Sequence, residues 1–458
     1  MASASTAIDR SLSPEPKTLI VGLGKTGLSC ARHLSARGVR VAVTDSRERP
    51  PGLERLQSEC PEVAVFIGGF DPEVFAAASE LVVSPGVPIA EPLIQQAMAR
   101  GVPAVGDIEL FAREIKAPLC AITGSNGKST VTTLVGLMAR LAGRRVAVGG
   151  NLGEPVLDLL APNVELYVIE LSSFQLETVP SLRADVAVVL NVSADHLDRY
   201  PSLDDYARTK ARLYQGARIA VVNRDDPIVA AMPRDSEREI GFTLGRPEGT
   251  DFGVRVLDGQ PWICQGEEPI LPTAEVRIPG RHNLANALAA LALAHASAIP
   301  MASAREALRA FPGLSHRSEF VAERAGACWY DDSKGTNPGA TMAALDGLIP
   351  AGGAGRVVLI AGGEGKGADF TPLRAAVERA ARAVVLIGRD APLIESALSG
   401  TVPLIRAADM DEAVELAAER IAPGDCVLLS PACASFDMFD NYEHRGQVFA
   451  EAVRRLSP

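Results

Sequence analysis

Apolar runs of four to six residues recur along the chain, each closing on glycine or on a polar residue, and helix-period stretches lie between them. Near the start, 17–22 (KTLIVG) predicts a strand entering a glycine turn, 26–37 a helix, and 39–45 (VRVAVTD) a second strand. A further apolar run at 81–86 (LVVSPG) ends in a turn. Strands at 119–123, 166–170, 186–190 and 219–223 follow, with a helix from the loop after 123 to about 141. A turn-rich β stretch covers 241–279, and the alanine-rich segment 283–298 reads as a buried helix. Beyond 312, strands are predicted at 357–361, 383–387 and 426–429, with helices between them. Strands alternating with helices imply parallel sheets with crossover connections.

The chain has 458 residues. Single cores stop growing at about 250–300 residues, so several domains are needed. Three α/β units fit: 1–106, 107–312 and 313–458. Apolar residues make up 47% and charged residues 22%, the balance of a soluble globular enzyme. A net charge of -11 without a basic run disfavours nucleic acid and anionic membranes as partners. The seven cysteines, at 30, 60, 120, 264, 328, 426 and 433, include no CxxC pair and read as reduced core residues. The opening MASASTAIDRSLSPEPK lacks an apolar signal core and reads as a frayed leader. No apolar run reaches the ~20 residues of a membrane helix. A cytoplasmic monomer is expected.

Two glycine turns carry candidate chemistry. Gly22-Leu-Gly24-Lys25-Thr26-Gly27 fits G-x-G-x-x-G between a strand and a helix, and Asp45 ends the next strand near the spacing of a ribose-binding acid. An NAD-dependent oxidoreductase is one reading of this turn. Any nucleotide diphosphate would serve as well, and glycines needed only for a tight turn are the plain alternative. The second turn, Gly124-Ser125-Asn126-Gly127-Lys128-Ser129-Thr130, is two residues shorter than a standard P-loop but keeps its strand–loop–helix setting. Backbone N–H groups of 125–128 and the helix dipole are placed to receive phosphate. Lys128 would neutralise the β- and γ-phosphates, and Ser129 or Thr130 would reach Mg²⁺. Downstream, Glu170 closes an apolar strand, and Asn191 and His196 follow the next one. An acid at a strand end suits Mg²⁺; a lone histidine is more often structural.

Taken together, GSNGKST, ELSSFQLE, NVSADHLDRY and GRHNLANALAA resemble the central ATPase domain of the Mur ligase family. LSHRSEF, DDSKGTNPGA, AGGEGKGADF and LLSPACASFDMFDNYEHRG resemble its C-terminal domain, with the likeness strongest to the D-glutamate-adding branch. The resemblance implies three domains: a Rossmann-like one, a P-loop ATPase-like parallel sheet, and a second Rossmann-like one. It implies an ATP-dependent amide bond between the carboxylate of UDP-N-acetylmuramoyl-L-alanine and the amine of D-glutamate, through an acyl phosphate, in peptidoglycan precursor synthesis. By the same resemblance, Lys128, Glu170, His196 and Lys210 are catalytic. Asn283, Arg317 and Asp332 join the 124–130 loop in holding ATP. Lys25, Thr26, Asp45, Ser46, Arg47, Ser84, Pro85, Gly86, Asn151 and His196 face the uridine-nucleotide substrate, Arg47 pairing with a phosphate or lying over uracil. His316, Lys334, Thr336, Lys366, Ser435 and Tyr442 face D-glutamate, His316 also standing near the nucleotide ribose. Two Mg²⁺ ions are implied, held among Ser129, Thr130, Glu170, His196 and a carbamylated Lys210. An exposed helical lysine is the plain alternative for Lys210, and solvated loop charge for Lys334 and Lys366. Another Mur ligase or a folylpolyglutamate synthetase-like enzyme is the neighbouring functional alternative.

Overall fold

The computed structural model describes residues 17–278, 280–348 and 355–456. The leader expected at 1–16 and Pro279 lie outside them. Three sheets organise the chain. The first has the order β3-β2-β1-β4-β5, from β1 (Lys17–Val21), β2 (Val41–Asp45), β3 (Ala64–Ile67), β4 (Ala78–Val83) and β5 (Ala104–Val105), and every pairing is parallel. The chain reverses direction across this sheet between β1 and β4, and the glycine turn sits at that switch. Gly22 has φ +96°, which a side chain would strain, and its carbonyl accepts from Ser84 Oγ at 2.8 Å.

The central sheet contains β6 (Leu119–Thr123), β7 (Val146–Gly150), β8 (Leu166–Glu170), β9 (Val186–Val189), β10 (Ile219–Asn223), β11 (Arg238–Phe242), β12 (Phe252–Leu257), β13 (Gln260–Gln265) and β14 (Glu268–Pro272). Its order is β14-β13-β12-β11-β10-β9-β6-β8-β7. Strands β6, β8 and β9 are buried throughout, as strands covered on both faces must be. After β6 the chain runs out to the edge at β7, returns at β8, then crosses to β9 on the other side. The crevice beyond β6 is therefore the switch point where open α/β sheets bind ligands.

The central sheet is parallel from β7 to β12, and the turn-rich β stretch expected at 241–279 makes it mixed at one edge. β12, β13 and β14 pair antiparallel along one edge. The cause is local: Asp258-Gly259 joins β12 to β13 with φ +50° and +77°, a two-residue turn far too short for a crossover.

The third sheet has the order β15-β16-β20-β17-β18-β19, from β15 (Glu319–Arg324), β16 (Ala327–Asp331), β17 (Val357–Gly362), β18 (Ala381–Ile387), β19 (Leu404–Arg406) and β20 (Cys426–Leu429). Only β15–β16 is antiparallel, through another positive-φ pair, Ala325-Gly326. β20 inserts between β16 and β17, so the loops after these three strands share one edge.

Two compact units result. One is the chain through Ile115 with Pro155–Leu160 and Glu177–Leu182; the other comprises Lys116–Glu154, Ala161–Leu176 and everything from Arg183 onward, carrying the second and third sheets. In the larger unit, the helix Arg281–Ala296 buries Ala287 to Ala294 completely. Its alanines let it lie close to the central sheet and to the helix Lys128–Leu141.

Candidate active site

The loop 124–127 departs from β6 with two glycines that the geometry requires. Gly124 has φ +152° and Gly127 φ +83°, and a Cβ on Gly127 would overlap Asn286 Oδ1. The helix Lys128–Leu141 begins at once, so its first N–H groups open into the crevice. One expectation is corrected here. The Ser125 and Asn126 N–H groups do not await phosphate: they donate to the Asn191 backbone oxygen (2.9 Å) and to Asn191 Oδ1 (2.8 Å). Asn191, just past β9, thus braces the loop.

Lys128 folds back, Nζ donating to Gly124 O (2.8 Å) and Ser125 O (2.9 Å). Burial lowers its pKa. Lys210, on the helix Leu203–Ala211, is 1% exposed, and its Nζ donates to the same Gly124 oxygen at 2.9 Å. It also lies 4.5 Å over the Tyr206 ring. Burial, reinforced by Lys128, pushes Lys210 well below the usual lysine range. The exposed-helix alternative for Lys210 is thereby excluded.

Glu170, ending β8, is buried. Its Oε1 accepts from Asn151 Nδ2 at 2.7 Å, while Oε2 is buried with no hydrogen-bond partner. A buried carboxylate oxygen left bare is costly unless something absent from the protein completes it. A hard cation suits that oxygen, and the nearby donor set is oxygen-rich: the hydroxyls of Ser129 and Thr130 are buried beside the loop. Asn151, assigned to the uridine-nucleotide substrate, spends an amide proton on Glu170. His196 has φ +55° and its ring lies edge-on to Phe174, 4.8 Å between centroids. Burial lowers its pKa to about 4, Lys366 and Lys128 adding to this against Asp195, so the imidazole is neutral near pH 7.

Loops of the third sheet meet this crevice. Arg317 Nη2 donates to Ser129 Oγ at 2.8 Å. A cavity of about 390 Å³ is lined by Asn126, Gly127, Thr130, Asn283, Asn286, Arg317, Asp332 and Lys334, among others. Most of the residues assigned to ATP are thus gathered on one hollow. Asp332, buried, accepts from Ser430 Oγ (2.7 Å) and Ser318 N (3.1 Å), and burial raises its pKa to about 7.

The residues assigned to D-glutamate fall into separate places. Thr336 and Lys366 line a small hollow with Asp195 and His196. Lys366 Nζ pairs there with Asp195 Oδ1 at 3.0 Å. Ser435 follows Ala434, which is bridged to Glu364 near Lys366. Lys334 instead lines the larger cavity, 3.8 Å above the Tyr442 ring, and burial lowers its pKa to about 8. The solvated-loop alternative fails for both lysines. His316 is held at 2.7 Å by Asp331, whose hydrogen bond raises the imidazole pKa.

In the smaller unit, Lys25, Thr26, Asp45, Ser46, Arg47, Ser84, Pro85 and Gly86 gather at the carboxyl ends of β1, β2 and β4. Arg47 is turned onto Asp45, with bonds of 2.8 and 2.7 Å. Asp45 also accepts from Leu23 N at 2.7 Å. Burial pushes its carboxyl up, but Arg47 and these N–H donors outweigh that and hold it below the usual range. The two side chains are thus paired with each other.

Asp195, Asn286, Tyr206 and Asn337 were not among the expected site residues. Asn286 had a signal, since it stands three residues after Asn283 on one helix face.

A phosphate loop at a switch point, a bare buried carboxylate oxygen and two buried lysines define a nucleotide-dependent phosphoryl-transfer site. Family models match three stretches in order: the Mur ligase MurD-like N-terminal domain (16–106), the Mur ligase middle domain (122–294) and the Mur ligase glutamate ligase domain (316–433). Two relatives called UDP-N-acetylmuramoylalanine–D-glutamate ligase are similar throughout. That of Pseudomonas putida is 54% identical over 442 residues, 96% of this chain and 97% of its own. That of Pseudomonas aeruginosa is 55% identical over 442 residues, 96% and 98%. The chain belongs to the Mur ligase family. Solved structures agree in fold: UDP-N-acetylmuramate-alanine ligase MurC of Thermotoga maritima has TM-score 0.59, 19% identity and coverage of 96% and 99%. MurF ligase from the same organism, in complex with ADP, has TM-score 0.58, 16% identity and coverage of 98% and 97%.

Proposed function

We propose that this chain uses ATP to join UDP-N-acetylmuramoyl-L-alanine to D-glutamate, a step of peptidoglycan precursor synthesis. The observation that carries the reading is the Gly124–Thr130 loop set against Glu170, whose Oε2 lies buried and bare. A carboxylate does not acylate an amine near neutral pH, because oxide is a poor leaving group. Here a carboxylate oxygen attacks the γ-phosphorus, the bond to the β,γ-bridging oxygen breaks, and ADP departs. The amine nitrogen then attacks the acyl carbon, loses a proton, and the C–O bond to phosphate breaks.

Each protein group has a task in this reading. Lys128 and the helix N-terminus meet the charge on the transferring phosphoryl group. Arg317, reaching Ser129 from the third sheet's side, closes the nucleotide end. Glu170, with Ser129 and Thr130, would hold Mg²⁺, which would neutralise phosphate charge. Lys210 as its carbamate would add a second oxygen ligand position. Lys366 and Thr336 hold the glutamate carboxylates, with Ser435 nearby. The uridine diphosphate end lies at the carboxyl edge of the first sheet, and Arg47 must leave Asp45 to meet it. The domains divide near 106 and 312, and the enzyme works as a cytoplasmic monomer. No helix among the described residues is long and apolar enough to cross a membrane.

The oxidoreductase alternative raised by Gly22–Gly27 is displaced by the family match of residues 16–106. An ADP-release assay with the muramoyl-alanine nucleotide tests the proposal. D-glutamate should support turnover, while L-glutamate and diaminopimelate should not; equal rates with all three would refute it.

A further inference from the structure

Asn337, 4% exposed, is a four-way node outside every role assigned above. Its Nδ2 donates to Asn126 Oδ1 (3.1 Å) and to Asp195 Oδ2 (3.1 Å). Its Oδ1 accepts from Asn126 Nδ2 (3.4 Å) and from Ala340 N (2.8 Å). Both amide protons and both lone pairs are used, so the side chain has one orientation that satisfies it. The partners belong to different parts of the site. Asn126 is in the phosphate loop, Asp195 precedes His196 and pairs with Lys366, and Ala340 lies in the first turn of the helix Pro338–Leu348 that follows Thr336. The approach is close on the backbone side too: a Cβ on Gly339 would stand 2.8 Å from Ser193 Oγ.

We propose that Asn337 is a positioning residue that couples occupancy of the phosphate loop to affinity at the acceptor amino-acid site. The inference rests on the functional reading above, in which the 124–130 loop binds ATP and the Thr336–Lys366 hollow binds D-glutamate. Asn126, in the loop that meets the nucleotide in that reading, presents its amide to Asn337. Asn337 in turn fixes Asp195 and the start of the following helix, and so sets Lys366 and Thr336. Without the amide, the two sites lose their shared element and respond independently.

The ligation of Ala340 N makes a clean variant available. Serine also caps a helix N-terminus, so Asn337→Ser keeps that role but cannot span to Asn126 and Asp195. D-glutamate binding is titrated calorimetrically with saturating muramoyl-alanine nucleotide, with and without a non-hydrolysable ATP analogue. In the wild type the analogue should tighten D-glutamate by at least about fivefold, within the usual range of coupling. In Asn337→Ser the factor should fall close to one, with analogue affinity in the absence of D-glutamate unchanged. Asn337→Asp, which keeps the cap and sets a carboxylate against Asp195, should behave likewise and serves if the serine variant folds poorly. A wild-type-sized factor in a folded variant, or no coupling in the wild type, overturns the proposal. Wild-type turnover with D-glutamate, run alongside, separates that result from failure of the functional reading, which absent turnover would mark.

Discussion

Lys128 and Lys210 converge on one acceptor: both side-chain nitrogens donate to the Gly124 carbonyl oxygen, at 2.8 and 2.9 Å. Two ammonium groups on one oxygen repel, and one is relieved by losing its proton. Burial and Lys128 both act against the charge of Lys210 and push its pKa well below the usual lysine range. A neutral amine is the form that adds CO₂, forming an N–C bond and releasing a proton. Lys210→Ala should therefore cost more than the roughly 10–100-fold lost when an outer metal-site partner is removed. Acetate should restore part of the rate by replacing the carbamate oxygens. Initial rates with and without acetate check this, and near-normal turnover of the variant without it would contradict the role.

Asn151 and Glu170 make a second prediction. The 2.7 Å bond from Asn151 Nδ2 to Oε1 leaves Oε2 as the carboxylate's bare oxygen. Asn151→Ala frees the carboxylate to rotate without removing it. Magnesium affinity should weaken about 10–100-fold, the usual effect of losing an orienting partner. Rate against Mg²⁺ concentration should show the shift, with the maximal rate largely recovered at high metal. A variant with an unshifted Mg²⁺ requirement would place Asn151 elsewhere in function.

Local chemistry made much of this site readable. Gly-Lys-Ser-Thr at a helix start and an acid closing an apolar strand are short-range patterns, and the structure brings them together at one switch point. Asp258-Gly259 is equally local, a two-residue turn inside the β stretch expected at 241–279. Lys210 could be singled out only by resemblance, because its burial depends on packing against a loop 86 residues away. Asn337 stands in the DDSKGTNPGA stretch, but nothing there names its partners: Asn126 and Asp195 lie 211 and 142 residues distant, and only the assembled fold joins them.

Gly127 offers a test of the shortened loop. It combines φ +83° with the close presence of Asn286 Oδ1, so Gly127→Ala meets both backbone strain and a clash. Strain of this kind costs about 1–3 kcal/mol. The loop should move away from Asn286 before the sheet yields, because β6 is buried on all sides. Nucleotide affinity should fall at least tenfold, roughly 1.4 kcal/mol, while the melting temperature drops only a few degrees. Calorimetric titration of ADP, alongside thermal melting, checks both. Intact ADP binding would show that the loop tolerates a side chain and does not cradle phosphate as argued.

Lys334 should shape the pH dependence. Burial has lowered its pKa to about 8, so in the free enzyme it is a cation below that pH and neutral above. If its charge holds an anionic partner, kcat/KM for D-glutamate should decline as pH rises through about 8, because that ratio reports groups of the free enzyme. Ionisation of the amino acid's own ammonium acts in the opposite sense and must be separated. Lys334→Arg does this, since a guanidinium stays charged throughout the range. The arginine variant should lose the descending limb near pH 8 while keeping the amino acid's own contribution. Identical profiles for the two proteins would mean that Lys334, stacked on Tyr442, supports the cavity wall without contributing its charge.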